Sequence, residues 1–337
     1  MSKKTIISAE NISIGYAKTK YRDKTALYKG LSFDLCKGEL ACLLGANGAG
    51  KSTLLRTIGA SQPSLKGKVF LDDRPVDSYS EKELSRLLGL VLTDKTSAGG
   101  LRVRELVELG RYPYTGFFGQ LTRQDKDAVQ KALEDVCIIH KADVHVAELS
   151  DGERQKTMIA KVLAQESPVV LLDEPTAFLD MESRIEIMNL LRRLTVNQGK
   201  TILLSTHDID LALLLADRLW LLSGETGLTA GVTEDIVLSG AMDKFFKGGN
   251  IIFDKSSGNF LPNRKSDRKA LLQADGYLYH WTRNMLERHG ISASGDMNDS
   301  LFSLTVSASD SINVRLKNGT TRNYENYEQL ADFIKDI

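Results

Sequence analysis

The sequence predicts an α/β domain built on a mostly parallel sheet, with a smaller α+β domain after it. Four short apolar runs, ELACLLG (39–45), PVVLLDE (168–174), KTILLST (200–206) and RLWLLS (218–223), lack the polar alternation of half-exposed strands. Runs of that kind are strands covered by helices on both faces. Stretches with helical spacing separate them, and strands alternating with helices pair in parallel. After FFKGGN (245–250) the pattern changes to alternating strands and hairpin signals, which marks a second domain.

Taken from the N-terminus, the stretches around Ile12–Tyr16 and Leu31–Leu35 read as an antiparallel edge, and KVFLD (68–72) as a further strand. Residues 81–165 are mostly helical. From Gln124 onward, Val129, Ala132, Leu133, Val136 and Ile139 keep a stripe of about 3.6 residues, so this segment reads as a helical subdomain inserted into the α/β core. The first domain accordingly spans residues 4–247 and the second 248–337. In the second, IIFDKSSGNF (251–260) is strand, turn and strand. Residues 277–289 form an amphipathic helix with Leu278, Trp281 and Met285 inward, closed by Gly290. On that reading Tyr277, Tyr279 and Trp281 belong to a core stripe. SINVRLKNGTTRNYE is a hairpin about a two-residue Asn318-Gly319 turn, and a last helix covers 326–336.

Composition bounds the function. With 337 residues, 42% of them hydrophobic and 26% charged, the chain can bury two cores. Lys+Arg and Asp+Glu are both 44, a balance that argues against a broad nucleic-acid footprint. Cys36, Cys42 and Cys137 show no metal-type pairing and read as buried apolar residues in a reducing compartment. The start, MSKKTIISAENISIGY, lacks the apolar run of a signal peptide. LALLLADRLWLL is broken by Asp217 and Arg218 and is too short to span a bilayer.

GANGAGKST (45–53) follows a strand-like run and precedes a helical one, the context that the phosphate-loop pattern G-x-x-x-x-G-K-[ST] requires. The glycines of the loop (Gly45, Asn47, Gly48, Ala49 and Gly50) let its backbone N–H groups turn toward phosphates. Lys51 can reach the β/γ oxygens, and Ser52 can offer its hydroxyl to Mg²⁺. In VVLLDEP (169–175), Asp173 ends a buried strand, where a carboxylate is costly unless it serves a cation. Glu174 beside it can orient or deprotonate an attacking water. His207, in LLSTHD, follows the next strand and can approach a γ-phosphate at the same sheet edge. His140 and His145 are too weakly patterned for a metal site. A second candidate anion site, Ser150-Asp151-Gly152 in ELSDGERQK (148–156), begins a helical segment.

The order GANGAGKST, LSDGERQK, VVLLDEP, AFLD, LSTHD resembles the ATP-binding-cassette ATPases over about residues 4–245. The resemblance implies that Lys51, Ser52 and Thr53 line the nucleotide phosphates and metal. It makes Asp173 the Mg²⁺ carboxylate, Glu174 the residue for the attacking water, and His207 the γ-phosphate contact. Tyr16 stacks on adenine, and Phe178, Leu179 and Asp180 form the loop facing an opposite subunit. It also explains the second anion site: in a head-to-tail dimer, Ser150, Gly152 and Glu153 of one copy close the phosphate pocket of the other. Two departures stand out. Asp151 occupies a position that is usually glycine, so its side chain is expected to point away from phosphate or cap the helix. Asp94, in LVLTDKT, stands where a glutamine is usual, and its contact with Mg²⁺ would run through water.

LRVRELVELGRYPYTGFFGQLTRQDKDAVQKALEDV resembles the helical subdomain of importers for iron–siderophore, haem and cobalamin-type chelates. That implies an ATP- and Mg²⁺-dependent homodimer on the cytoplasmic face of a separate multi-span permease, served indirectly by a substrate-binding protein. The alternative is a soluble cassette acting on nucleic acid, ribosomes or protein assembly. Residues 248–337 carry no motif pointing to a family; a regulatory domain, a dimer brace or a binding module for a small effector are the readings there, with the first two leading.

Overall fold

The computed structural model describes residues 4–16, 25–92, 100–246, 251–255, 258–262 and 266–337. The chain divides into two compact units, Met1–Phe245 with Lys255–Asn259, and Phe246–Asp254 with Phe260–Ile337. The expected boundary at 247/248 lies outside the described residues.

In the first unit, β1 (Thr5–Tyr16) pairs antiparallel with β2 (Thr25–Cys36). The fully buried β3 (Leu40–Leu44) runs into the loop that opens α1 (Lys51–Ile58). β4 (Lys66–Leu71) pairs with β1, and the short β5 (Arg74–Pro75) with β4. These strands form their own antiparallel sheet, in the order β2-β1-β4-β5. The N-terminal strands are therefore not an edge of the parallel sheet, as the sequence suggested. Their burial explains the difference: Ile7, Ile12, Ile14 and Leu35 share one core with Leu54 and Leu55 of α1, while Glu10 and Asp34 face outward. One face needs a layer beneath it, and α1 with the second sheet supplies that layer.

α2 (Glu81–Leu87) leads directly into β6 (Leu88–Val91). With β7 (Val169–Asp173), β8 (Thr201–Thr206), β9 (Arg218–Ser223) and β10 (Gly227–Val232), the second sheet has the order β10-β9-β3-β8-β7-β6. All its pairings are parallel except β10 with β9. Trp220 of β9 stacks 4.8 Å from Phe33 of β2, tying the two sheets together. β6 corrects the insertion's expected start at residue 81: LGLV belongs to the sheet, and four residues are too few for periodicity to separate strand from helix.

The helical insertion comprises α3 (Val103–Glu108), α4 (Arg123–Asp135) and α5 (Asp151–Ala164), packed on one another. Val129, Ala132, Leu133 and Val136 are buried as expected. The helix ends at Asp135, however, and a left-handed Cys137 (φ 59°) turns the chain so that Ile138, not Ile139, goes inside. The same turn leaves Cys137 exposed, against expectation; Cys36 is half-buried and Cys42 buried. α6 (Met181–Gln198) and α7 (Ile209–Leu215) pack against β3, and α8 (Thr233–Leu238) and α9 (Ala241–Phe245) follow β10.

In the second unit, β11 (Ile251–Asp254) pairs with β12 (Asn259–Pro262). β13 (Lys269–Ala274), α10 (Gly276–Arg288) and β14 (Ser292–Ser294) form a parallel crossover. β15 (Phe302–Ala308), β16 (Ser311–Leu316) and β17 (Thr321–Tyr324) complete a sheet ordered β14-β13-β15-β16-β17, with α11 (Tyr327–Lys335) last. The β16–β17 turn is longer than the expected two residues. Leu316 N–H donates to Thr320 O at 2.9 Å, leaving Lys317, Asn318 and Gly319 as a three-residue loop. α10 buries Thr282, Met285 and Leu286 and half-buries Leu278, whereas Tyr277, Tyr279 and Trp281 are exposed, Trp281 by 61%. The aromatics are thus no core stripe; the i, i+4, i+7, i+8 face starting at Leu278 does that work.

Candidate functional site

The sheet order decides what meets what. β3 lies beside β8, and β8 beside β7, so the C-terminal ends of three neighbouring strands deliver the glycine loop, His207 and the Asp173-Glu174 pair to one edge. Such an edge is where open α/β sheets place their ligands.

The loop turns through Gly50, which sits at φ 91° as the N-cap of α1. A side chain there would be strained, and its first carbon would stand 3.3 Å from Leu27 and 3.4 Å from the Tyr28 ring. Leu27 and Tyr28 of β2 therefore form the wall behind the loop. The sequence reading did not single them out, because nothing local marks an edge tyrosine as a neighbour of residues twenty positions on. Asn47 and Gly48 are exposed, Gly45, Ala49 and Ser52 half-buried, and Thr53 buried.

Lys51 is buried in the loop. Its ammonium donates to Gly45 O at 3.0 Å and Ala46 O at 3.4 Å, and lies 3.4 Å from Glu174 Oε1. His207 Nε2 is 2.9 Å from Lys51 Nζ and 2.8 Å from Glu174 Oε1. Three side chains drawn from three strand ends thus converge on one point. Nε2 serves one partner at a time: it donates to Glu174 or accepts from Lys51. The position of one proton is therefore coupled to how the Glu174 carboxylate and the Lys51 ammonium turn.

Glu174 adopts a left-handed backbone (φ 51°), uncommon for a residue with a side chain and held only by its surroundings. The holder is Ser205, which is fully buried. Its hydroxyl accepts from Glu174 N–H at 2.9 Å and donates to Asp173 Oδ1 at 2.7 Å. The strained turn sends the adjacent carboxylates different ways, Asp173 into the buried strand end and Glu174 to the cluster. Ser205 was missed by the sequence reading, although a serine in the otherwise apolar LLST run was the available signal. Buried Asp173 and the Ser52 hydroxyl, on the packed pair β7 and α1, are hard oxygen donors of the kind Mg²⁺ takes.

The second anion candidate is a separate construction. Ser150 caps α5: its hydroxyl accepts from Glu153 N–H at 3.3 Å, while Glu153 Oε2 accepts from Ser150 N–H at 3.0 Å. That N–H, helped by Lys141 at 3.2 Å and opposed by partial burial, holds the Glu153 carboxyl below its usual range. Asp151 does not cap the helix; its carboxylate turns to Arg154 at 3.0 Å, and the cap is Ser150. Gly152 faces Ser183 of α6, where a methyl group would meet the hydroxyl at 3.0 Å. Asp180 caps that same helix by accepting Ser183 N–H at 2.8 Å. Phe178 is exposed at a left-handed turn (φ 64°), but Leu179 is buried in its own chain and is not presented outward. Among the described residues, none of Ser150, Gly152 and Glu153 bonds to Lys51, Glu174 or His207. Tyr16 ends β1 half-buried opposite Thr25. Asp94 lies outside the described residues.

The family described as ABC transporter matches residues 28–177, and that described as Iron ABC transporter C-terminal domain matches 267–335. The chain is 35% identical to an uncharacterized ABC transporter ATP-binding protein of Methanocaldococcus jannaschii, over 76% of this chain and 86% of that one. It is 35% identical to the ferric enterobactin transport ATP-binding protein FepC of Escherichia coli, over 71% and 86%. It is 32% identical to the iron(3+)-hydroxamate import ATP-binding protein FhuC of Bacillus subtilis, over 72% and 87%. Among solved structures, a metal-chelate type ABC transporter in an inward-facing conformation superposes with TM-score 0.64 at 27% identity, over 77% of this chain and 98% of that one. A dimeric ATP-binding cassette bound to ADP and Pi superposes at 0.59 with 26% identity, over 68% and 99%.

Proposed function

Because this chain belongs to the ABC transporter family as its ATP-hydrolysing subunit, we propose that it works as a head-to-tail homodimer on the cytoplasmic face of a multi-span permease. There it drives uptake of an iron chelate, a siderophore or haem, with cobalamin as the related cargo. The observation that carries the reading is the convergence of Lys51, Glu174 and His207 at one strand edge, with the Ser150 helix start built apart from it.

In this reading the loop N–H groups and Lys51 hold the β- and γ-phosphates of ATP, and Tyr16 stacks on its adenine. Ser52 and Asp173 hold Mg²⁺, which supplies charge neutralisation to the phosphates when bound. Glu174 takes the proton of the attacking water, and His207 bridges Glu174 to the γ-phosphate. The partner copy completes the pocket: its Ser150 hydroxyl already accepts from its own helix and keeps a proton to donate. The N-terminus of α5 adds N–H groups and positive dipole potential. Phe178 and Asp180 face the partner across the same interface. Iron is favoured as cargo by the relatives named for ferric enterobactin and iron(3+)-hydroxamate and by the match of residues 267–335. Leu109, Tyr112, Phe117 and Phe118 stand exposed on the helical insertion, Phe117 by 99%, an apolar tip that suits a membrane-protein partner.

Glu174→Gln is the test. It should bind ATP as the unaltered chain does yet lose roughly 10²–10⁴ in turnover, the worth of a general base. In proteoliposomes with a ferric-siderophore permease and its binding protein, the unaltered chain should support ATP-dependent iron uptake and Glu174→Gln none. Equal uptake by both would refute the assignment.

A further inference from the structure

The second unit contains a cleft of about 330 Å³, lined by Leu261, Ser266, Trp281, Asn284, Arg288 and Ile291 among others. That volume is at the small end of ligand pockets, which run from roughly 300 to 1,000 Å³. Its wall is one face of α10: Trp281, Asn284 and Arg288 stand at i, i+3 and i+7, one above another. From Trp281 to Arg288 the helix rises about 10 Å. Ile291 is fully buried and supplies the apolar floor, while Ser266 and Ser292 add hydroxyls at the side.

Charge on this face is not balanced. Glu287 also lines the cleft, but its carboxylate is held by Arg283 at 2.8 Å. Arg283 in turn reaches Asp254 at 3.6 Å. Arg288 is exposed, and no carboxylate among the described residues pairs with it. The indole of Trp281 is largely exposed at the other end, edge-on to His280 at 5.4 Å. An uncovered indole and an unpaired guanidinium, separated by an amide and backed by an apolar floor, match a planar ring joined to an anion by a short arm.

We propose that this cleft binds a small aromatic carboxylate, its ring on Trp281 and its carboxylate on Arg288 and Asn284, giving the appended unit an effector site. The site is independent of the nucleotide chemistry, so its test does not read turnover. Trp220, one of the two tryptophans, is fully buried, and emission that responds to an added ligand therefore reports Trp281. The full chain is titrated with 3-phenylpropionate, and in parallel with 3-phenylpropanamide and with propionate. Saturable quenching by 3-phenylpropionate is expected, at least about tenfold weaker for the amide and for Arg288→Gln, because each removes one charge-assisted contact. Trp281→Phe should lose the signal while calorimetry still detects binding, weakened by loss of the larger ring. Quenching that never saturates, or that is equal for acid and amide, or unchanged in Arg288→Gln with native circular dichroism, would overturn the assignment.

Discussion

Ser205 separates two neighbouring carboxylates by bonding to the side chain of one and the backbone of the other. Ser205→Ala removes both bonds at once, leaving Asp173 short of a buried donor and Glu174 free to relax from its left-handed turn. Turnover is expected to fall about 10- to 100-fold, or roughly 1.4–2.7 kcal/mol at the transition state, which steady-state kinetics would show with protein stability measured alongside. Glu153 stabilises the start of its helix by accepting the Ser150 N–H. Its folded pKa lies below the unfolded one, so its contribution is fully present above the unfolded value and disappears as pH falls through the folded value. Compared with Glu153→Gln, the unaltered chain should be more stable at neutral pH by about 1 kcal/mol, the worth of such a cap. Urea midpoints should converge in acid, and a gap that persists there would contradict the cap. At this scale the sequence singled out Lys51, Asp173, Glu174 and His207 from fixed spacings around strand ends, and the fold brings Lys51, Glu174 and His207 within 3.4 Å of one another. The sequence did not disclose Ser205 or Tyr28, whose positions follow from pairing between distant strands, nor the outward turn of Trp281, which needs the phase of α10.

GRYPYTG (110–116) lies within the segment that resembles the importer subdomain, and in the fold it ties helices together. Arg111 is buried and donates to Asp125 at 2.8 Å, to Glu166 at 2.6 Å and to Ala164 O at 2.6 Å, with the Tyr114 ring 3.9 Å from its guanidinium. Burial works against charge on Asp125, but hydrogen bonds from Thr122 and Arg111 outweigh it and hold the carboxyl below its usual range. Removing one partner of such a pair leaves an uncompensated buried charge. Arg111→Met is therefore expected to cost about 3–5 kcal/mol in denaturant unfolding, whereas Arg111→Met combined with Asp125→Leu should recover a large part. A single variant as stable as the original would show the tie to be idle. Elements were legible in proportion to their burial. The four apolar runs became β3, β7, β8 and β9 because strands covered on both faces leave a continuous apolar signal. β6 was too short to read, and the antiparallel sheet looked like an edge because its half-buried strands reveal a face but not which layer covers it. The hairpin loop gained a residue because Gly319 takes the left-handed position that ends a three-residue turn.

The whole molecule joins an ATP-hydrolysing unit to a smaller unit matching an iron-transporter C-terminal family. The second family was beyond the sequence reading, since its residues form an ordinary α+β core without a chemical motif. The division of labour proposed here depends on a second copy: the strand-edge cluster of one chain faces the Ser150 helix start of another. No helix among the described residues is long and apolar enough to cross a membrane; the proposed function places the spanning part in a separate permease. The composite site is tested most directly by mixing two inactive variants, Lys51→Ala and Ser150→Arg, and measuring ATP turnover. Each alone should be inactive, and random pairing should restore about a quarter of the original rate, since half the dimers would carry one intact site of two. A mixture no more active than the sum of its parts, or a Ser150→Arg chain that hydrolyses ATP unimpaired, would contradict a site shared between copies.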